Sequence, residues 1–129
     1  MKEVISVSHI LPYEPYGFTN CVRYGDTLYL SGISGLNVDG SLAGLDIESQ
    51  TWKTYENIEI ILQAAGSGLE QILQMTSFIV NLADNGSIYV ATRKKILASP
   101  AYTSATIGVA ALMIPGLLLE VQCIAGITK

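Results

Sequence analysis

Charge is what this chain has least of. Only 14% of its 129 residues are charged, and the 7 Lys+Arg are outnumbered by 11 Asp+Glu. The cations Lys2, Arg23, Lys53, Arg93, Lys94, Lys95 and Lys129 are mostly scattered, which argues against a nucleic-acid footprint. With two cysteines, Cys21 and Cys123, and one histidine, His9, in unrelated contexts, a disulfide framework, a zinc motif and a Ser/His/Asp arrangement are all excluded, and no metal or cofactor is expected. The start, Met1-Lys2-Glu3-Val4, has no continuous apolar run, so no signal peptide is expected. The uncharged stretch from Ala105 to Leu119 is too short to span a bilayer and is broken by Pro115-Gly116. A cytoplasmic protein that touches neither nucleic acid nor membrane fits these absences.

What is present is apolar material, at 50% of the residues. That is more than a small monomer needs for one core, so subunit contacts are expected to bury the surplus. The length predicts a single domain over 1–129.

Within the apolar C-terminal third, one charge stands out. Between Lys95 and Lys129 the only charged residue is Glu120, set between Leu117-Leu118-Leu119 and Val121-Gln122-Cys123. An ionised carboxylate there is costly unless it is paired or hydrogen-bonded. Period two on a strand puts Leu117, Leu119, Val121, Cys123 and Ala125 on a core face, and Glu120 with Gln122 on the other. Glu120 is therefore the first candidate for chemistry; a hydrogen-bonded glutamate at a subunit contact is the equally weighted structural alternative.

The rest of the chain supplies a frame. Cys21–Tyr24 and Thr27–Leu30 flank Gly25-Asp26, which predicts a hairpin with a type II′ turn. The glycine-rich stretch from Ser31 to Leu45 reads as a loop, without the Gly-Lys-Ser/Thr ending of a phosphate loop. Asp46 is a candidate N-cap for a helix whose buried face is Thr51, Tyr55, Ile58, Leu62 and Ala65, ended by Gly66. Ser67-Gly68-Leu69-Glu70 has the spacing of a capping box. A strand over Met75–Leu82, a helix over Asp84–Leu97 with Ile88, Thr92 and Ile96 in register, and a closing pair of neighbouring strands over Tyr102–Ala111 and Leu117–Ala125 complete the prediction. This order predicts an α+β fold: a mostly antiparallel sheet with two helices on one face, the other face meeting a copy of itself.

Several segments resemble one family. They are Thr27-Leu28-Tyr29-Leu30-Ser31-Gly32, Glu56-Asn57-Ile58 through Leu62, Ala64-Ala65-Gly66-Ser67-Gly68-Leu69, Thr76-Ser77-Phe78 with Leu82, Val109-Ala110-Ala111-Leu112, Pro115-Gly116 and Leu119-Glu120-Val121. Across residues 18 to 126 they are similar to the RidA/YjgF reactive-intermediate deaminases. The resemblance implies a chorismate-mutase-like fold, a homotrimer, and small-molecule sites in clefts between subunits. It implies hydrolysis of enamines and imines made from amino acids, with an arginine on the substrate carboxylate and a glutamate that positions or activates water. Carried over by position, the glutamate is Glu120 and the serine is Ser31, with Gly32 beside it. The tyrosine position is Phe18, and the asparagine position falls near Tyr89. The arginine position is Ser104 if strands are aligned through Pro115-Gly116, or Tyr102 from Pro100-Ala101.

Neither replacement is basic, and a guanidinium's paired hydrogen bonds to a carboxylate cannot be made by Ser or Tyr. The expectation is therefore an inter-subunit cleft for a small neutral or cationic imine- or carbonyl-like molecule. Glu120 would be its base, Ser31, Gly32, Ser104 and Gln122 its polar contacts, and Phe18, Tyr89 and Tyr102 its walls. A non-catalytic ligand sensor or partner-binding trimer is one alternative. Ordinary 2-imino acid deamination with Arg93 or Arg23 in place of the missing arginine is the other.

Overall fold

The computed structural model describes residues 1–128. Its elements are β1 (Lys2–Val4), β2 (Cys21–Tyr24), β3 (Thr27–Leu30), β4 (Ile33–Ser34), α1 (Ile47–Ala64), β5 (Ile72–Val80), α2 (Leu82–Ile96), β6 (Thr103–Val109) and β7 (Leu119–Gly126). One sheet runs β1-β2-β3-β7-β5-β6, with β4 also paired to β7. All pairings are antiparallel except β5 with β6, which α2 connects as a crossover.

The apolar alternation of β7 explains its central place. Leu119, Val121, Cys123 and Ala125 are all buried, and they face the helices together with Ile72, Met75, Ile79, Leu28 and Leu30. Each such side chain contributes roughly 1.5–3 kcal/mol when taken from water, so a one-residue slip of β7 would expose the row and bury Glu120. From the other side α1 supplies Tyr55, Ile58, Ile61 and Leu62. Its N-cap is Asp46, whose carboxylate accepts from the Ser49 amide at 3.0 Å. Beyond its C-terminus, Gly66 takes φ +77°. The hairpin turn forms as expected, with Gly25 at φ +64°.

Four expectations are corrected. The closing strands are not neighbours: β5 lies between β6 and β7. The stretch from Ser31 to Leu45 is not all loop, because Ile33 and Ser34 pair with Val121 and Glu120. The turn after α1 is capped by Gly68 with no side-chain cap; Ser67 Oγ instead donates to the Gly126 carbonyl at 2.6 Å. In α2 the buried residues are Tyr89 and Thr92, while Ile88 is exposed.

Two buried amides hold the segments around Glu120. Gln50 Nε2 donates to the carbonyls of Gly44 (3.0 Å) and Gly116 (2.9 Å), and its Oε1 accepts from the Leu118 amide at 2.7 Å. Asn57 Nδ2 donates to the carbonyls of Ser34 and Leu36, each at 3.0 Å. Together they fix the approach to β7 and the short β4 beside it.

On the helix-free face, β7 and its neighbours carry Glu120, Gln122, Thr76, Gln74, Tyr29 and Ile124. Strand β6 is the sheet's edge and is exposed along nearly its whole length. No helix among the described residues is long and apolar enough to cross a membrane.

Candidate functional site

Glu120 opens into a cleft of about 560 Å3 whose walls include Tyr13, Tyr16, Phe18, Gly32, Met113 and Ile114. The walls are otherwise largely aliphatic, and among the described residues no lysine or arginine lines them. The carboxylate is half-buried and makes no hydrogen bond or ion pair among the described residues. Burial alone raises its pKa above 4.5, because removing solvent penalises the charged form.

Gly32 is the floor beneath that carboxylate. A Cβ there would meet the Glu120 carboxyl carbon at 2.5 Å and its Cγ at 2.8 Å, so the carboxylate can occupy this position only because residue 32 has no side chain. The Gly32 carbonyl accepts the Tyr13 hydroxyl at 2.8 Å. Tyr13 packs on Phe18 with ring centroids 4.8 Å apart. Its pKa is pushed up to about 12, first by burial and then by the charge of Glu120. Ser34 pairs with Glu120 in the ladder and also lines the cleft.

Of the residues singled out by sequence, Glu120, Gly32 and Phe18 meet in this cleft. Ser31 is near by chain but faces elsewhere, donating to the Thr19 carbonyl at 2.6 Å. Gln122 shares the helix-free face with Glu120 but lines a different depression, with Tyr29, Gln74, Thr76 and Ile124. Tyr89 is a fully buried residue of α2, its hydroxyl 2.6 Å from Tyr55 Oη and 2.5 Å from Ser77 Oγ; it is a core residue in this chain and does not line the Glu120 cleft.

Ser104 and Tyr102 belong to a second cluster, organised by Arg93. Arg93 Nη1 donates to Ser104 Oγ at 3.0 Å. Its guanidinium carbon lies 5.2 Å from the Tyr89 ring centroid and 5.9 Å from that of Tyr102. Its Nε is buried without a partner, and no carboxylate pairs with it among the described residues. A half-buried guanidinium without a counter-charge is a ready anion contact. Arg23, by contrast, is committed to its own hairpin turn, donating to the Gly25 carbonyl at 2.8 Å with Asp26 at 3.8 Å.

Register separates the two clusters. Met75, which faces the helices, pairs with Ser104, whereas Phe78, on the opposite face, pairs with Glu120. Within one chain, Glu120 and Arg93 therefore stand on opposite sides of the sheet. Among the described residues no three His, Cys, Asp or Glu side chains gather to hold a metal ion.

Sequence reasoning missed Tyr13. Its signal was weak: it is one of several aromatics between Tyr13 and Tyr29, and only the fold shows which of them reaches Gly32.

The family model described as Endoribonuclease L-PSP matches residues 9–127. The RutC family protein UK114 of Drosophila melanogaster is 30% identical over 127 residues, covering 97% of this chain and 89% of that protein. A 2-iminobutanoate/2-iminopropanoate deaminase of Dermatophagoides farinae is 29% identical over 113 residues, covering 86% of each. The crystal structure of YyfA from Yersinia pestis, described as a conserved Rid family protein, is 31% identical, covers 98% of this chain and 100% of that one, and superposes with a TM-score of 0.87.

Proposed function

Because the chain belongs to the RidA/YjgF family, we propose that it hydrolyses a small imine in a cleft formed between copies, with Glu120 as general base. The observation that carries this reading is Glu120 itself: a carboxylate without a partner among the described residues, half-buried in an apolar cleft, with its pKa raised by that burial. Glu120 takes a proton from water as the oxygen attacks the imine carbon. It passes that proton to nitrogen to give a carbinolamine, then takes the hydroxyl proton and delivers it to nitrogen as the C–N bond breaks, so imine and water become carbonyl compound and ammonia.

A specific observation favours an imine that also carries a carboxylate. Arg93 brings a guanidinium to Ser104, the position where the family's arginine was expected and found missing. On this reading an anionic substrate would meet a counter-charge. Since Glu120 and Arg93 lie on opposite sheet faces, the pair can act on one ligand only if a second copy supplies one of them; the exposed edge strand β6 beside Arg93 supports such a contact. The deaminase named for the mite relative is consistent with this substrate class.

The test is ammonia release from 2-iminopropanoate generated in the assay. Glu120→Gln should lower kcat by about a hundredfold or more, while Arg93→Ala should raise KM most and Arg93→Lys should recover part of the loss. Wild-type protein that binds the ligand without turnover, with affinity unchanged in Glu120→Gln, would instead establish the non-catalytic sensor.

A further inference from the structure

Resting on that reading of the cleft, we infer that Tyr13 and Glu120 form an acceptor pair that selects an N–H-bearing cation, an iminium or ammonium group, over the corresponding carbonyl. Gly32 holds the two groups together. Glu120 lies against its α-carbon, and the Tyr13 hydroxyl is bound to its carbonyl at 2.8 Å.

An ionised carboxylate only accepts hydrogen bonds, and a phenol has one proton to donate. That proton is engaged by the Gly32 carbonyl, so the phenol offers a ligand its lone pairs. Both groups then present acceptors to the same end of the cleft. A carbonyl oxygen placed there would meet acceptor against acceptor, whereas a protonated imine or amine would donate to both. Ser34 and Tyr16 also line the cleft; a hydroxyl can donate or accept, so the bias comes from Glu120 and Tyr13. Phe18 cannot contribute, and it packs against the Tyr13 ring, which holds the phenol at Gly32. The same pair would release the product carbonyl in preference to the substrate iminium.

The experiment is an NMR titration of the whole protein, followed at the amides of Gly32 and Glu120, with two probes of the same carbon skeleton. Isopropylammonium should bind about tenfold more tightly than acetone, the effect of a charge-assisted hydrogen bond. Tetramethylammonium, which carries the charge without an N–H, should bind more weakly than isopropylammonium. Tyr13→Phe keeps the ring against Phe18 and should reduce the isopropylammonium preference by weakening isopropylammonium without weakening acetone. Equal binding of isopropylammonium and acetone by wild-type protein would overturn the inference without any variant. So would a Tyr13→Phe protein that loses both probes equally. Imine turnover with no probe preference would leave the proposed reaction standing without this selectivity. A clear preference without turnover would do the reverse.

Discussion

Replacing Gly32 by alanine separates the site's chemistry from the fold's stability. The new methyl would occupy the space of the Glu120 side chain, 2.5 Å from its carboxyl carbon and 2.8 Å from its Cγ. These are closer than any relaxed carbon–carbon contact, so the carboxylate must move by about 1 Å or more. The obstructing atoms are the end of a flexible side chain in an open cleft, not backbone, and Gly32 is not a left-handed position. Rotation of Glu120 therefore relieves the clash at a stability cost of about 1 kcal/mol or less. A base displaced by that distance, however, costs on the order of a hundredfold in rate. Urea denaturation and ammonia release from 2-iminopropanoate, measured on the same preparation, test both halves. Near-wild-type turnover in Gly32→Ala would refute the placement of the base against Gly32, and a loss of several kcal/mol would refute the claim that the contact is local.

The raised pKa of Glu120 makes the native state bind more protons than the unfolded chain, so its ionisation weakens the fold as pH rises through the folded value. Glu120→Gln should accordingly be more stable than wild type at neutral pH, with the difference vanishing below the pKa of an unfolded glutamate, as read by melting curves across pH. On the kinetic side, the rate should fall as pH drops through the same raised value, above the ordinary 4.5 of a free glutamate. Gln50→Leu would leave the Gly44 and Gly116 carbonyls and the Leu118 amide unpaired; a loss of about 2–4 kcal/mol in urea denaturation is expected. Tyr89→Phe breaks the buried hydroxyl chain to Tyr55 and Ser77 but keeps the ring under Arg93, so about 1–2 kcal/mol of stability should be lost with KM little changed.

The parts of the fold legible in sequence are those where local chemistry and burial agree. The β2–β3 turn needs positive φ and has Gly25; α1 has a capping aspartate and one apolar face; β7 alternates strictly. The parts that were not legible depend on partners distant in sequence. Strand β4 is two residues long in a glycine-rich stretch and exists because β7 pairs with it. Helix α2 is polar on most sides, so periodicity favoured Ile88 where the core takes Tyr89, whose hydroxyl is satisfied by Tyr55 and Ser77. The insertion of β5 between β6 and β7 sets which side chains share a face, and no local pattern reports it. The site divides the same way. Glu120 was visible as a lone charge, whereas Arg93 at Ser104 and Tyr13 at Gly32 are contacts between different elements, 11 and 19 residues apart, that no local pattern reports.

In the proposed site, Glu120 of one copy and Arg93 of another serve a single ligand. The direct measurement is ammonia release from oligomers reassembled from an equal mixture of Glu120→Gln and Arg93→Ala chains, each of which is impaired alone. If the site lies between copies, random assembly in a closed ring restores an intact pair at about one interface in four, and activity should return to about a quarter of wild type. A mixture no more active than the average of the two variants would contradict it.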